Sequence, residues 1–483
     1  MAICPEGLRG LRATIIGAAR EGTALARYLA QCGARVTLSD SKPAQALAKH
    51  LVGLEGLDVR LTLGTLPTDF AEVDVLFLSP GVPPSASIVC QARNQGLPMS
   101  SEPRLFTQLC PAPIVGITGS SGKTTTTALT GEMFAAEVSP TWVGGNIGKP
   151  LIERLLEDQP PAFAVMELSS FQLELFSPDY QGPMVEQRRS QASRAVSVEG
   201  WSPHVAVITN ITPNHLDRHP SMADYVRAKS HIVAFQGSDD WAVLNLDNEY
   251  TPELASRAGG QVLHFSLERP VAQGAFLRDE ELVLRFGGAE RVLCHASALR
   301  LRGAHNVANT LAAACAAQAG EVSLDAMRSA ATSFTGVAHR LEVVRRWQGV
   351  LFVNDSIATS PERAIAALRS YEEPLVLLAG GRDKHLPWDQ WAGVVLGRVR
   401  VVVAFGEAVP IIERALREGR AKQGNGMGTI LHLVDSLEQA VATAAEVAQP
   451  GEVVLLSPGG TSFDAFEDFE ARGARFRELV AAL

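Results

Sequence analysis

Lys123 lies near the end of the phosphate-loop-like stretch GITGSSGKTTTT, residues 116–127. Glycine, lysine and threonine at this spacing suit a bound polyphosphate. The glycine-rich loop offers backbone N–H groups, the lysine neutralises charge, and the next hydroxyl suits Mg²⁺. The usual pattern, G-x-x-x-x-G-K-S/T, would put its first glycine at position 117. Ile117 stands there, and the early glycines are Gly116 and Gly119. Gly119, Gly122, Lys123, Thr124 and Thr125 are therefore the candidate nucleotide contacts, because the triplet Gly122-Lys123-Thr124 follows an apolar run and opens a helical one. A second group is His215 with Lys229, 14 residues later on an expected helix. Alone, the histidine reads as a core or solvent-facing residue and the lysine as a solvated helix face.

The elements that must hold these residues alternate strand and helix. RATIIGAA (12–19) is an apolar run ending in a glycine turn, followed by a helical stretch and by ARVTLSD, which ends at Asp40. Strand, glycine turn, helix, strand and acid make a βαβ unit suited to a nucleotide. Its Gly17-Ala-Ala-Arg-Glu-Gly22 turn lacks the middle glycine of a dinucleotide fingerprint. VDVLFLSPGVP (73–83) adds another strand. In the middle of the chain IVGIT, AFAVMELSS and HVAVITNIT read as buried strands, and parallel strands present ligands at their carboxyl ends. Glu167, Ser169 and Asn210 should therefore face the loop. VLFVND, EPLVLLAGG, VRVVVAFG and GEVVLLSPGG repeat the rhythm after residue 337. The fold class expected is α/β in three domains: a Rossmann-like domain over 1–108, a P-loop ATPase-like parallel sheet over 109–336, and a dinucleotide-fold-like domain over 337–483. Charged residues 185–200 read as an exposed insertion.

The 483 residues, 46% of them hydrophobic, suffice for several cores, and the net charge of −9 argues against a nucleic-acid or membrane-surface protein. An anionic substrate must then be held by local basic groups. The six cysteines (Cys4, Cys32, Cys90, Cys110, Cys294, Cys315) contain no C-x-x-C pair, which predicts reduced thiols rather than a disulfide frame or zinc site. No apolar run has the length of a membrane span, and the N-terminal residues contain no signal-like apolar region. A cytoplasmic location is expected.

Taken together, the phosphate loop, GGNIG (144–148), MELSSFQLE (166–174), TNITPNHLDRH (209–219) and GAHNVAN (303–309) resemble the Mur ligase family. That family's loop also lacks the early glycine. GVAHRLEVV (336–344), NDSIATSPE (354–362), GGRDKHLP (380–387) and LSPGGTSFDAFEDFEARG (456–473) extend the resemblance through the third segment, toward the glutamate-adding branch. It implies UDP-binding, ATP-binding and amino-acid-binding domains, in that order. It further implies a monomeric enzyme, acting without nucleic acid or membrane, that joins D-glutamate to UDP-N-acetylmuramoyl-L-alanine (UDP-MurNAc-L-Ala) through an acyl phosphate formed from ATP, in peptidoglycan precursor synthesis.

Residue roles follow from the same resemblance. Thr124 and Glu167 would hold one Mg²⁺, and His215 would help bind a second beside a carbamylated Lys229. Asn306, Asn309, Arg340 and Asp355 match nucleotide-holding positions. Asp40, Ser41 and Lys42 match the uridine region, with Gly81 in the Ser-Pro-Gly turn also on the substrate side; Asn146 and Ser169 match substrate positions. Thr359, Lys384, Ser462, Phe463 and Phe469 match the glutamate pocket. Two departures are visible: Ser121 where the family usually has asparagine, and Ile357 where many members have lysine. The D-N-P-R motif of diaminopimelate-adding relatives is absent from the chain, which favours glutamate. The alternatives are the same ligation with L-glutamate, a folylpolyglutamate-synthase-like enzyme, which would lack the N-terminal UDP-binding domain, and a nucleotide-binding switch, which would leave Lys229 unexplained.

Overall fold

The structure is a computed structural model that describes residues 2–157, 159–181, 196–197, 199–215, 218–301, 303–384, 386–423 and 428–483. Most of the 185–200 segment falls outside them. Three sheets carry the fold. The first has five strands in the order Val59–Leu63, Arg35–Asp40, Arg12–Ile16, Val75–Leu78, Met99–Ser100, all parallel. Strand order reverses between Arg12–Ile16 and Val75–Leu78, where an open α/β sheet leaves a crevice at the strand carboxyl ends. The glycine turn after Ile16 and the Ser-Pro-Gly turn after Leu78 border that crevice.

The second sheet has nine strands. Thr141–Gly145, Phe163–Glu167, Ile114–Thr118, Val205–Ile208, Trp241–Asn245, Gln261–Ser266 and Gly274–Arg278 run parallel, with Ile114–Thr118 between Phe163–Glu167 and Val205–Ile208. The expected parallel sheet needs one correction. Glu281–Phe286 and Ala289–His295 complete the edge as antiparallel strands, because the tight turns Asp279–Glu280 and Gly287–Gly288 return the chain directly instead of through a crossover helix.

Residues 1–334 form one compact unit and 335–483 a second. A single apolar cluster joins the first two sheets: Leu25, Leu29, Phe77 and Phe106 from the N-terminal segment pack in the same core as Trp142, Ile152, Met166 and Phe176. The second unit holds a six-stranded sheet in the order Glu342–Trp347, Val350–Asn354, Val453–Gly459, Leu375–Gly380, Val399–Phe405, Ile430–Val434. All but the first pair run parallel. Its central strands are buried along their whole length, as expected of a sheet covered on both faces.

One expectation fails. Cys4 and Cys32 are joined by a disulfide, their Cα atoms 5.2 Å apart. The partners stand 28 residues apart, and the turn at Gly33 together with the N-terminal segment brings them together, so no local cysteine motif marks the pair. Cys90, Cys110, Cys294 and Cys315 are free thiols.

Candidate active site

The phosphate loop is shaped by what cannot be added to it. Gly119 lies at φ +151°, and a Cβ there would stand 1.9 Å from Thr209 Oγ1. Gly122 lies at φ +79°, and a Cβ there would come within 2.4 Å of Asn309 Oδ1. Ile117, by contrast, is a buried strand residue with no such demand. The glycines therefore fall where the end of the neighbouring strand and the helix Ala304–Ala319 press on the loop. Thr209 and Asn210 brace it from that strand end. Ser120 N donates to Asn210 O at 2.9 Å, Ser121 N to Asn210 Oδ1 at 3.0 Å, and Thr209 Oγ1 to Ser121 O at 2.6 Å. Serine at 121 keeps a hydroxyl within 3.3 Å of Asn210 Oδ1. Helix Lys123–Ala135 starts at Gly122 without a capping side chain, so its first N–H groups point toward the loop.

Two lysines meet on one carbonyl. Lys123 Nζ donates to Gly119 O at 2.9 Å and to Ser120 O at 3.2 Å. Lys229 Nζ, from helix Met222–Ser230, donates to the same Gly119 O at 2.9 Å and to Thr118 Oγ1 at 3.2 Å. It lies 4.8 Å from the Tyr225 ring centroid, one helical turn back. Lys229 is 1% exposed. Burial holds its amine well below the usual lysine range; the Lys123 charge pushes the same way, and Glu167 opposes it. Sequence reasoning missed Thr118, Tyr225 and Thr209. Only Tyr225, four residues before Lys229, left a local signal.

Glu167 ends its strand with Oε1 accepting from Asn146 Nδ2 at 2.8 Å, while Oε2 is buried with no hydrogen-bond partner. An orphaned carboxylate oxygen beside the loop fits a hard cation. Thr124, buried in the first helical turn, is the nearest hydroxyl in sequence to the lysine; Thr125 is half-buried beside it. Asn309 accepts from Thr126 Oγ1 at 3.3 Å and donates to Asn306 Oδ1 at 3.2 Å, which joins both asparagines to the loop helix. His215 sits at φ +54° with its ring edge-on to Phe171 at 5.0 Å. Among the described residues, no three His, Cys, Asp or Glu side chains gather closely enough to hold a metal ion. A cation here would have to draw on hydroxyl oxygens as well as Glu167.

In the N-terminal sheet, Asp40 accepts from Ala18 N at 2.8 Å through Oδ2 and from Lys42 N at 2.9 Å through Oδ1, which fixes the glycine turn to the second strand end. Ser41, Lys42 and Gly81 are exposed around it. Arg20 reaches from the turn to Gly148 O at 2.7 Å and Asn146 O at 2.9 Å. Ser169 caps its helix reciprocally with Gln172. The Ser-x-x-Gln spacing was readable as a capping box and was missed.

In the second unit, Asp355 is buried. Ser457 Oγ donates to its Oδ2 at 2.9 Å and Leu341 N to its Oδ1 at 3.3 Å. Burial raises its carboxyl to about 7, against those two hydrogen bonds and the charges of Arg340 and Arg363. Lys384 Nζ donates to Thr359 Oγ1 at 3.4 Å. Burial lowers its pKa, and so does the charge of Arg363, a residue that sequence reasoning passed over. Arg363 also donates to Ile357 O at 3.4 Å, so a cation stands beside the position where lysine is missing. Ser462 is buried, Phe463 is 55% exposed, and Phe469 meets the His339 ring edge-on. The fully buried Arg472 ties these loops together by donating to Ser356 Oγ at 3.0 Å, Ser356 O at 2.9 Å and Gly460 O at 3.2 Å.

Three family descriptions match the chain: a MurD-like N-terminal domain over residues 11–101, a Mur ligase middle domain over 117–182 and 184–317, and a Mur ligase glutamate ligase domain over 339–460. The UDP-N-acetylmuramoylalanine–D-glutamate ligase of Symbiobacterium thermophilum is 42% identical over 475 residues, covering 98% of each chain. The protein of the same name from Acetivibrio thermocellus is 39% identical over 477 residues, 99% of this chain and 97% of its own. Among solved structures, MurF from Acinetobacter baumannii superposes with a TM-score of 0.56 at 19% identity, covering 97% of this chain and 94% of its own. The UDP-N-acetylmuramate–alanine ligase MurC from Thermotoga maritima gives 0.55 at 18%, covering 98% and 99%. At those identities the likeness is one of fold.

Asp355 yields a test. Its pKa is raised on folding, so the folded state binds the extra proton between pH about 4 and about 7, and stability falls as pH rises through that window. The slope expected of the second unit's unfolding free energy is about 1.4 kcal/mol per pH unit. In Asp355→Asn this contribution should be lost, so the slope should change by about that amount relative to the wild type, measured by urea unfolding at pH 4.5 to 7.5. An unchanged slope would mean that Asp355 titrates normally.

Proposed function

Because the chain belongs to the Mur ligase family, we propose that it joins D-glutamate to UDP-MurNAc-L-Ala with hydrolysis of ATP to ADP and phosphate, in peptidoglycan precursor synthesis. The observation that carries this reading is the pair of amines, Lys123 and Lys229, meeting at Gly119 O at the mouth of a braced phosphate loop. The near-full-length likeness to ligases of that name supports it.

A carboxylate is a poor acyl donor. Transfer of the γ-phosphoryl group to the alanyl carboxylate makes an acyl phosphate and ADP; the glutamate amine then attacks the carbonyl, and the tetrahedral intermediate collapses with loss of phosphate. Such transfer needs positioning and charge neutralisation more than covalent help. The loop N–H groups and Lys123 supply both for the β- and γ-phosphates. Thr124 and Glu167 would hold Mg²⁺, which would offset the charge of the phosphates; the orphaned Glu167 Oε2 is the oxygen suited to it. Asn306, Asn309, Arg340 and Asp355 take nucleotide roles.

Lys229 is read as a carbamate. Its buried amine, kept neutral, can add CO₂ and lose a proton to give an anionic oxygen ligand. An ammonium beside a divalent cation would repel it. With His215 this ligand would serve a second Mg²⁺. Asp40, Ser41, Lys42 and Gly81 surround the uridine end, and Asn146 and Ser169 the substrate side. Thr359, Lys384, Ser462, Phe463 and Phe469 form the glutamate pocket, where Lys384 pairs with one carboxylate and Ser462 with the other. The three domains divide near residues 108 and 336, and the enzyme works as a cytoplasmic monomer.

Lys229→Ala should be nearly inactive yet folded, and millimolar acetate or formate should restore part of its turnover by replacing the lost oxygen. Wild-type activity in that variant would remove the carbamate from the account. For the acceptor amine, phosphate release with UDP-MurNAc-L-Ala and ATP should be fast with D-glutamate, slow with L-glutamate, and near background with neither. Equal or faster turnover with L-glutamate would overturn the stereochemical reading and point to Ile357 as the residue that altered the pocket.

A further inference from the structure

Outside the loops already described, two carboxyl groups line one cavity where the N-terminal sheet meets the central one. Glu21 lies in the first turn of helix Arg20–Gln31, and Glu102 in the first turn of helix Glu102–Leu109. Both line one narrow cavity with Ile15, Gly22, Leu78 and Ser79, beneath the crevice where strand order reverses. The cavity has no room for a water molecule. Each carboxyl spends one oxygen on the central layer. Glu21 Oε1 accepts from Gln172 Nε2 at 2.9 Å, and Glu102 Oε1 from Ile152 N at 3.0 Å. The other oxygen of each, Oε2, is buried with no hydrogen-bond partner.

Two bare carboxylates cannot share such a space. A buried charge without a partner costs several kcal/mol, and a like charge beside it costs more. With no room for water in the cavity, each orphaned oxygen is satisfied at least cost by carrying a proton.

The Gln172 amide links this pair to the site. Its Nε2 is held by Glu21, which forces its Oε1 toward Ser169, where it accepts from Ser169 N at 2.8 Å and Ser169 Oγ at 3.0 Å. With its hydrogen committed to Gln172, the Ser169 hydroxyl is left to accept.

We propose that Glu21 and Glu102 are kept as neutral, protonated carboxyls in this cavity and thereby lock the N-terminal sheet to the central one, with Glu21 acting through Gln172 as a positioning residue for Ser169. The second half rests on reading Ser169 as a substrate-side residue; the first does not. Burial raises Glu21 to about 7 and Glu102 to about 8, and the Glu21 charge pushes Glu102 further in the same direction. The other charges facing them are Arg20, which favours ionisation of both, and Glu153, which disfavours ionisation of Glu102. Glu153 is itself paired with Arg27 at 2.9 Å. The raised values mean that the lock is complete below pH about 7, where both carboxyls are neutral, and weakens as pH rises through about 8, because ionisation then places charge in the cavity.

The test uses the full chain and the double variant Glu21→Gln/Glu102→Gln, whose amides keep an acceptor for Gln172 and for Ile152 N. The infrared spectrum of the wild type minus the double variant should show a protonated-carboxyl C=O band at pH 6.5 that disappears between pH 7 and 9. No such band would overturn the protonated pair, whatever the enzyme's substrate. In steady-state assays, the wild-type KM for UDP-MurNAc-L-Ala should rise several-fold from pH 7 to 9 with kcat little affected by this pair, and the double variant should lose that rise. Glu21→Ala, which releases the Gln172 amide, should raise KM already at pH 7. A KM profile identical in wild type and double variant, with the infrared band present, would leave the protonated pair in place and refute the positioning role.

Discussion

The phosphate loop depends on one steric constraint: there is no room for a Cβ at residue 119. Thr209 Oγ1 would lie 1.9 Å from it. Because that space is empty, the loop can turn tightly against the end of strand Val205–Ile208 and expose the Gly119 carbonyl, and both lysines find their acceptor there. A side chain at 119 would displace Thr209, then the Ser121 carbonyl bonded to it, and with it the start of the loop helix. The consequence reaches Lys229, whose low amine pKa requires the dry pocket formed by Thr118, Gly119 and Tyr225.

A second constraint runs through the unit formed by residues 1–334. Its two sheets share one apolar core, so the N-terminal glycine turn and the GGNIG segment are held in contact rather than tethered by a linker. Polar groups caught in that joint must find partners inside the protein. Gln172 finds Ser169 and Glu21, and the orphaned oxygens of Glu21 and Glu102 are left to carry protons.

Legibility in the sequence followed locality. The loop was readable because its glycines, lysine and threonines are consecutive and their roles depend on neighbours in the chain. Buried parallel strands such as Leu375–Gly380 and Val453–Gly459 were readable as unbroken apolar runs. Strands Val59–Leu63, Ala289–His295 and Ile430–Val434 lie at sheet edges and are only partly buried, and polar or charged residues interrupt their apolar ones. The same limit applies to the site. Glu167 and Ser169 stand at a strand end that pattern alone could place, whereas the Lys229 pocket joins residues more than a hundred positions apart. The roles of His215 and Lys229 came from family likeness and not from spacing. The Cys4–Cys32 bond likewise depends on where the fold brings the N-terminal segment.

If the geometry of Gly119, rather than lysine charge alone, fits the loop to a nucleotide, one added methyl group should be enough to weaken binding. Gly119→Ala keeps both lysines and adds one methyl group. Calorimetric titration of the folded variant with ADP and Mg²⁺ should show affinity weakened at least about tenfold, equivalent to about 1.4 kcal/mol, relative to the wild type. Unchanged affinity in a variant with native circular dichroism would contradict the account.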